Sequence, residues 1–357
     1  MKVAVLWTGL SGYFNACLRE LAAREGVELL VSHQTPNTTA PFDEAQFGWM
    51  TRRFAWRAEA ELGALPAMVR AFDPDVVLLA GWHIGAYRRL ARERRGRSLR
   101  VMAMDNCWRG TLKQWLGVVT APVYVQRIAD VAWIPGERQI EFADKLGFGR
   151  ALKLFGLYAC DHPEFAKQYG ARVQASRELP RAFLYCGRLV PDKGIDVLAM
   201  AYARYRERSR DPWPLICCGV GPERHRLEGR PGVRLDGFVQ PEALPAKLAE
   251  SGCFILPSRF EPWAVALHEA ASAGLVLLAS EKVGAAVHLI HPGQNGFLFN
   301  SGDTDQLARL MARVEALSAE RREAMSKASY QLSRGYTPQI WAETLQYAWA
   351  QWSTAQI

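Results

Sequence analysis

Two glutamates, Glu261 and Glu269, stand in an otherwise apolar stretch, "SRFEPWAVALHEAASAG". The run "CFILPS" before them is short and apolar, which predicts a buried strand. Pro262 suits the first turn of a helix and Gly274 can end one, so the segment predicts a strand, a loop and a helix. Glu261 would then lie at the carboxyl end of a strand, where ligands bind in open α/β sheets. Glu269 would lie roughly 12 Å further along the helix axis.

This predicted separation limits the chemistry that the two carboxylates can share. It is too long for a pair that flanks one glycosidic bond at about 5 Å. It suits two groups that hold the two ends of one extended ligand. The alternative is a surface loop position for Glu261 and a solvated helix position for Glu269, and the neighbouring motifs favour the ligand.

A second strand-to-helix turn, "LYCGRLVPDKGIDVLAMAYARY", brings two cations to the same kind of position. Arg188 ends the predicted strand, and Lys193 stands just before the predicted helix. A helix N-terminus with two cations suits a diphosphate, although a surface loop with two ordinary cations is the alternative. After the segment "VRLDG", Phe238 or Val239 could line a base pocket, and core packing would explain both equally well.

The elements that position these residues alternate between buried strands and helices along most of the chain. "VAVLW", "VELLVS", "DVVLLAG", "LRVMAM" and "DVAWIP" are the predicted strands of a first series. "RAFLYCG", "PLICCG", "VRLDGFV", "CFILPS", "LVLLAS" and "GFLF" form a second series. Between the series lies a polar segment that we interpret as a helix-poor linker. This alternation predicts two α/β domains, at 1–165 and 175–335, with a C-terminal helix at about 336–357 that packs back on the first domain.

Composition narrows the functional classes. Of 357 residues 49% are hydrophobic and 22% are charged, which indicates a globular protein. The chain shows no window near the ~20 apolar residues of a membrane span, and we interpret the N-terminal run as a first strand, not a signal peptide. Seven cysteines without a Cys-x-x-Cys pair indicate reduced thiols in a cytoplasm. A net charge of +8 favours acidic partners, but no recognition-helix or stacking motif supports nucleic acid.

Taken together, the segments "GRLVPDKG", "CGVGPE", "DGFV", "PSRFEPWAVALHEAASAG" and "VGAAVHLIHPGQNGFLF" resemble glycosyltransferase family 4 in order and spacing. The resemblance is specific over about residues 181–302. It implies the GT-B fold, which is α/β with two doubly wound Rossmann-like domains facing across a cleft. It also implies a retaining enzyme that takes its sugar from a nucleotide-diphosphate donor, a UDP- or GDP-sugar.

The resemblance also implies roles for individual residues. Glu261 would lie beside the donor sugar, Glu269 would bind the ribose hydroxyls, and Arg188 and Lys193 would bind the diphosphate. The other residues expected at the donor are Gly9, Gly12, Phe238, Val239, Pro262, Trp263 and Ala264. The chain departs from the family at Ala264, where a glycine is usual, and this departure bears on how closely the backbone approaches the sugar.

Candidates in the first domain are Asp105, Asn106 and His83, each following a predicted strand. Asp105 could position the sugar or accept the proton of the acceptor hydroxyl, and an Asx-turn that closes the strand is the alternative. A structural role for His83 is the simpler interpretation. "DPD" at 73–75 looks like an acidic metal triplet but precedes a strand, so we expect it to cap the preceding helix and expect no metal or other cofactor.

The sequence therefore predicts transfer of a sugar to a saccharide or lipid-linked saccharide acceptor, in bacterial cell-surface polysaccharide or lipopolysaccharide synthesis. The alternative is a non-catalytic regulator or scaffold that binds nucleotide sugars. Three segments of the first domain combine cations with aromatic residues: "AYRRLARERRGRSLR", "FGWMTRRFAWRAEAEL" and "NCWRGTLKQWLGVVTAPVYVQR". They predict peripheral binding to an anionic membrane surface, the inner face of the cytoplasmic membrane, with a solvated basic helix and ordinary core aromatics as the alternative.

Overall fold

The computed structural model describes residues 1–35 and 41–355. The chain divides into two compact units. Among the described residues, the first unit comprises 1–35, 42–159 and 338–355, and the second comprises 160–337 with Pro41. The chain therefore leaves the first unit after Ala159, where the sequence suggested residue 165, and its C-terminal helix belongs to the first unit.

The first unit contains one parallel sheet flanked by helices. Its strands are β1 (Lys2–Trp7), β2 (Glu28–Gln34), β3 (Arg53–Trp56), β4 (Val76–Leu79), β5 (Leu99–Ala103), β6 (Val131–Trp133) and β7 (Lys153–Leu154). Its helices are α1 (Gly12–Ala22), α2 (Leu65–Phe72), α3 (Gly85–Glu93), α4 (Leu112–Tyr124), α5 (Ile140–Lys145) and the C-terminal α13 (Pro338–Thr354). Strands β4 and β5 are fully buried, as their continuous apolar runs require in a sheet covered on both faces.

The second unit repeats this architecture. Its strands are β8 (Phe183–Cys186), β9 (Leu215–Cys218), β10 (Val233–Gly237), β11 (Cys253–Leu256), β12 (Val276–Ser280) and β13 (Gly296–Phe299). Its helices are α6 (His162–Gln174), α7 (Ile195–Arg208), α8 (Leu244–Ala249), α9 (Val265–Ser272), α10 (Ala286–Leu289), α11 (Thr304–Glu315) and α12 (Ala319–Ser333).

Both sheets have the doubly wound strand order. Within the described residues the order is β3-β2-β1-β4-β5-β6-β7 in the first unit and β10-β9-β8-β11-β12-β13 in the second. The order reverses between β1 and β4 and again between β8 and β11. Such switch points leave a crevice at the carboxyl ends of the strands, where α/β proteins bind ligands. Each unit therefore offers one favoured binding position.

The strands of both series form where the sequence predicts them, and the structure adds β3 and β7. It corrects the interpretation of the polar segment after residue 160, because most of it forms the helix α6. Asp161 stands at the N-cap position, Pro163 lies in the first turn, and Glu164 is an acidic residue of the same turn. These are helix start signals, but the segment lacks the long apolar stripe that usually accompanies them.

The helix α13 packs against the core of the first unit through Trp341. Its indole stacks on Trp133 at 4.7 Å between ring centroids and meets the edge of Phe14 at 5.8 Å. The indole N–H donates to the carbonyl of Leu157 at 2.9 Å. A fully buried tryptophan with its one polar atom satisfied is a strong anchor, so α13 is an integral part of this unit.

Candidate functional site

The turn from β8 into α7 packs directly against the end of β11. Gly194 begins the turn into α7 with a φ of +68°, and a Cβ there would lie 2.2 Å from the Pro257 carbonyl oxygen. A larger residue is excluded both by this contact and by the left-handed backbone. Lys193 and the residues after Pro257 are therefore brought together at the switch point of the second sheet.

Lys193 and Glu261 form an ion pair at this point. The two side chains keep only 16% and 13% of their accessible surface, so the pair is largely shielded from water. Burial strengthens the attraction but also makes an unpaired partner costly. Arg188, which follows β8, has an exposed side chain. Of the two cations predicted to bind the diphosphate, Arg188 is thus exposed, whereas Lys193 is largely buried and already paired with Glu261.

The loop that carries Glu261 is tied to the loop of Lys193 by Arg259. Its guanidinium binds both carboxylate oxygens of Asp196 at 2.5 and 2.6 Å, and its backbone N–H donates to the Asp192 carbonyl at 2.8 Å. The hydrogen bonds from Arg259 and then the backbone N–H of Val197 hold the pKa of Asp196 below its usual value. Asp196, in the first turn of α7, is therefore already paired with Arg259.

Glu261 lies before the helix, not at its first turn. It forms an isolated parallel bridge with Val283, and its carbonyl accepts the N–H of Gly284 at 2.9 Å. The Trp263 carbonyl accepts the N–H of Ala285 at 2.7 Å, and α9 begins only at Val265. The predicted separation of about 12 Å assumed continuous helical rise from Glu261, and this premise is wrong because the segment from Pro262 to Ala264 lies outside the helix.

The left-handed backbone of Ala264 is not helical, and α9 begins at the next residue. The Ala264 φ of +92° and ψ of +84° lie in the left-handed region, and Ala264 is one of few non-glycine residues there in the described chain. A Cβ in this region meets backbone atoms, which costs about 1–2 kcal/mol. Strain of this kind is concentrated at functional sites. Glycine, which is usual at this position in the family that the sequence resembles, would adopt the backbone conformation of Ala264 without strain.

Replacing Ala264 with glycine is expected to stabilise the protein by about 1 kcal/mol, because the strain released exceeds the entropy that glycine adds to the unfolded chain. The free energy of unfolding in urea measures this. Ala270→Gly, inside α9, is the matched control and should destabilise by about 1 kcal/mol. A loss of stability in Ala264→Gly equal to that of the control would show that position 264 carries no strain.

Glu269 lies within α9, partly buried beside the carboxyl end of β8. Burial, and secondarily the charge of Asp161, raises the pKa of Glu269 to about 7. Glu269 in turn contributes to raising the pKa of Cys186, after the larger effect of burial, which places the two groups close together. A carboxylate with a pKa near neutrality is a sign of a functional position. Phe238 and Val239, half-buried, directly follow β10 at the same edge of the sheet.

The first unit holds a cavity of about 350 Å³ at its own switch point. It is lined by the segments that follow β1, β4 and β5, and these include Gly9, His83, Asp105 and Asn106. The predicted candidates of the first domain therefore share one cavity. Gly12 lies in the same loop as Gly9, where α1 begins. The remaining lining residues are Trp7, Thr8, Tyr13, Ala80, Gly81, Trp82, Ala103, Met104 and Tyr158.

Asp105 is oriented inside this cavity by a residue that sequence reasoning missed. The Tyr158 hydroxyl donates to Asp105 Oδ2 at 3.1 Å, and the Tyr158 ring meets the edge of Tyr13 at 5.6 Å. The Gln139 amide holds the Asp105 carbonyl at 3.1 Å. The carboxylate is thus positioned by a long-range contact and not by a local turn. In the sequence, the one sign of a role for Tyr158 is its position directly before the segment "ACDHPEF".

Two of the three segments predicted to meet a membrane are largely part of the fold. Phe47 and Trp56 of the second segment are buried, and Arg53 forms an ion pair with Glu44. In the first segment Arg94 is buried, bonded to Asp73 at 2.5 Å, and Arg100 is buried against Asp130. The third segment, which forms α4, is the exception and is described below.

The acidic triplet at 73–75 has structural contacts. Asp73 ends α2 with a φ of +48° and pairs with Arg94, and Asp75 accepts the N–H of Lys2 at 2.7 Å. No cluster of three or more metal-ligating side chains is found in the described ranges 1–35 and 41–355. Within the same ranges, no helix is long and apolar enough to cross a bilayer.

Comparison with known proteins finds a family model that matches most of the second unit. Residues 171–332 match the model described as glycosyl transferases group 1. Alpha-D-kanosaminyltransferase of Streptomyces kanamyceticus is 29% identical over 138 residues, which is 37% of this chain and 35% of the relative. 2-Deoxystreptamine N-acetyl-D-glucosaminyltransferase of Niallia circulans is 27% identical over 135 residues, 36% and 34% of the two chains. The aligned part is thus about a third of each relative.

Solved structures extend the likeness to the whole fold. HepE of Anabaena, in complex with UDP, superposes with a TM-score of 0.73 at 18% identity, over 98% of this chain and 100% of that one. The same protein with UDP-glucose gives 0.71 at 17% identity, over the same shares of the two chains. At this identity the likeness shows the fold alone. The chain has the GT-B fold, α/β with two doubly wound Rossmann-like domains, and its residues 171–332 match the group 1 glycosyl transferases.

Proposed function

We propose that this protein is a retaining glycosyltransferase of family 4, which moves a sugar from a nucleotide-diphosphate donor to a saccharide or lipid-linked saccharide acceptor. Such a reaction belongs to the synthesis of bacterial cell-surface polysaccharide or lipopolysaccharide. The observation that carries the proposal is the ion pair between Lys193 and Glu261 at the switch point of the second sheet, within the segment that matches the family model. The names of the relatives, both sugar transferases, support it.

In this proposal the leaving diphosphate is stabilised by cations. Because Asp196 already places negative charge in the first turn of α7, the phosphate charge is balanced by Lys193 and Arg188 more than by the helix N-terminus. Glu261 has two tasks: it holds the Lys193 ammonium in place and presents negative charge to the sugar ring, which gains positive charge in an oxocarbenium-like transition state. No metal is required if the two cations neutralise the diphosphate.

The acceptor belongs to the cavity of the first unit in this proposal. Asp105, held by Tyr158, orients the acceptor hydroxyl or accepts its proton, and Asn106 and His83 add polar contacts along the wall. A cavity of about 350 Å³ is at the small end of ligand sites, which suits one sugar ring rather than a long glycan. The rest of a larger acceptor would remain outside it.

Direct measurement of transfer tests the proposal. UDP- and GDP-sugars are first screened by thermal shift. A true donor at 100 times its dissociation constant adds about 2.7 kcal/mol to the free energy of unfolding. The stabilising donor is then incubated with saccharide and lipid-linked acceptors, and proton NMR reads the anomeric configuration of the product. We expect retention, undiminished by a chelator. An inverted linkage rejects the retaining mechanism, and donor binding without transfer to any acceptor favours the regulator or scaffold.

The raised pKa of Glu269 gives the donor site an expected pH dependence. An ionised Glu269 accepts hydrogen bonds from both ribose hydroxyls, whereas the protonated acid accepts less well. Because its pKa is about 7, the affinity for a nucleotide sugar should rise up to about tenfold between about pH 6 and about pH 8. Calorimetry with UDP-glucose measures this, since its diphosphate diester does not titrate in that range.

Glu269→Gln is the control for this prediction. It should bind UDP-glucose more weakly at about pH 8 and show a flat profile, because the titrating group is gone. Glu164→Gln, on α6, where the Glu164 side chain keeps 45% of its accessible surface, should keep the profile of the wild type. A slope that survives in Glu269→Gln would assign the titration to another group and remove the ribose role from Glu269.

A further inference from the structure

The helix α4 exposes an apolar face. Among its thirteen residues only Ala121 is buried. Five apolar side chains, here called the α4 face, are exposed at spacings of three, one, three and four residues, which puts them on one side of the helix. They are Leu112 at 88%, Trp115 at 51%, Leu116 at 66%, Val119 at 74% and Val123 at 57% of full exposure. Contiguous exposed apolar surface of this kind marks an interaction site.

The segment that carries the α4 face has charges of one sign. The segment 106–127 contains three cations, Arg109, Lys113 and Arg127, and no acidic residue. In the part of the chain that the structure describes, Lys113 and Arg127 form no ion pair and are exposed. Lys145 of α5 lies 4.9 Å from the Trp108 ring and 5.7 Å from that of Trp115, and it also pairs with Glu141 at 3.7 Å.

This combination of exposed apolar residues and cations favours an anionic bilayer as the partner. Apolar residues with tryptophan on one face and flanking cations suit the boundary between the headgroups and acyl chains of an anionic bilayer. The face runs over twelve residues, about 18 Å, so it would lie in the interface and not cross it. A second copy of this chain fits less well. A two-fold contact would place the same cations of both copies together, and α4 offers no carboxylate to pair with them.

The α4 face is also connected to the cavity of the first unit. The helix follows the cavity residues Asp105 and Asn106 through one short loop, which Gln114 fastens by hydrogen bonds to Cys107 and Arg109, each at 2.8 Å. At its other end Tyr124 meets the edge of Trp82, a cavity residue, at 6.3 Å, and Arg88 lies 4.9 Å from the Tyr124 ring. A bilayer bound by the α4 face would therefore lie beside the cavity.

We infer that the α4 face docks the protein on an anionic membrane surface and thereby presents the cavity of the first unit to an acceptor whose lipid is anchored in that membrane. The inference rests on the proposed function for its acceptor, but the docking itself does not depend on turnover. It narrows the membrane contact from the three segments that the sequence suggested to α4. It also selects the lipid-linked acceptor over a free saccharide.

Vesicle flotation tests the docking. The full-length protein is mixed with vesicles of phosphatidylcholine alone, or of phosphatidylcholine with phosphatidylglycerol. Flotation should require the anionic lipid and decrease with salt. Leu116→Ser/Val119→Ser removes apolar contacts, and Lys113→Glu/Arg127→Glu reverses charge; each should lower the partition coefficient about tenfold or more. These positions are exposed, so folding should be preserved, and circular dichroism checks this.

Matched controls locate the surface. Val287→Ser changes an exposed apolar residue of the second unit, and Arg95→Glu/Arg97→Glu reverses two exposed cations of the segment 86–100. Val287→Ser should float like the wild type, and the double arginine variant should lose much less than Lys113→Glu/Arg127→Glu. Equal losses in the two charge-reversal variants, or flotation of Leu116→Ser/Val119→Ser at the level of the wild type, would overturn the assignment to α4.

Two further measurements separate the alternatives. Sedimentation at rising concentration should show a monomer; a dimer that Leu116→Ser abolishes would assign the face to a second copy instead. Affinity for a nucleotide sugar should be the same in Leu116→Ser/Val119→Ser and the wild type. If sugar transfer occurs but no vesicle binding is seen, the docking fails and the proposed function stands. If vesicles bind but no acceptor is glycosylated, the docking stands and the proposed function fails.

Discussion

Replacing Lys193 with alanine is expected to weaken the binding of a nucleoside diphosphate about 10- to 150-fold. The change removes a charge-assisted hydrogen bond to phosphate, worth about 1.5–3 kcal/mol, and each 1.4 kcal/mol is a factor of ten in affinity. Because Lys193 keeps only 16% of its side-chain surface, solvent screens its charge little. Arg188→Ala should weaken binding less, since its side chain is exposed. Calorimetry with UDP or GDP measures both changes.

The controls are cations remote from the switch point. Lys167→Ala, on α6, and Arg208→Ala, at the C-terminal end of α7, remove exposed cations of the same types and should leave the affinity unchanged. Lys193→Ala also leaves the Glu261 carboxylate unpaired, which should lower the free energy of unfolding, and adding Glu261→Gln should restore part of it. Nucleoside diphosphate affinities that remain unchanged in both Lys193→Ala and Arg188→Ala would exclude the phosphate role.

Strands were the part of the fold that the sequence predicted well, for a physical reason. A parallel strand covered on both faces is a continuous apolar run, as in "VVLL" of β4 or "CFIL" of β11, and such runs stand out against polar loops. The edge strand β3, "RFAW", and the two-residue β7 lack that pattern. Their pairing depends on neighbours distant in sequence, so no local signal could predict them.

The candidate site shows the same division between local and long-range information. The types and order of Arg188, Lys193, Glu261 and Glu269 are local, and the sequence was enough to group them. The pairing of Lys193 with Glu261 and the pairing of Arg259 with Asp196 depend on the approach of two loops more than sixty residues apart. The backbone of Ala264 depends on contacts with the turn at Gly284, and alanine itself gives no sign of a positive φ.

For a related reason, the sequence could not tell which of the three segments rich in cations and aromatic residues exposes its apolar side chains. Periodicity identifies an apolar side of a helix but not whether that side faces the core. In α3 the apolar side with Tyr87 and Leu90 is buried, whereas α4 turns its apolar side outward. Arg94 and Arg100 looked like surface cations because arginines usually are, yet each pairs with an aspartate inside the fold. Only the three-dimensional contacts distinguish these cases.

In the proposed function, the ion pair between Lys193 and Glu261 gives the carboxylate two opposing roles. As a partner of Lys193, Glu261 draws positive charge away from the diphosphate and so opposes nucleotide binding. As a neighbour of the sugar, it stabilises the positive charge that develops on the ring as the diphosphate leaves. Charge that is matched only in the transition state raises turnover and not ground-state affinity. Neutralising Glu261 should therefore move the two quantities in opposite directions.

Glu261→Gln is accordingly expected to lower turnover on the order of 10²-fold while the affinity for the nucleoside diphosphate stays equal or rises. The substitution keeps the shape of the side chain, so Lys193 retains a hydrogen-bond partner and the fold should be preserved. Steady-state release of the diphosphate and calorimetry on the same preparation give both quantities, with Glu164→Gln on α6 as the control that should change neither. If affinity and turnover fall together, Glu261 acts only by holding Lys193 in place; if turnover is unchanged, it is not at the sugar, and another group must stabilise the charge on the ring.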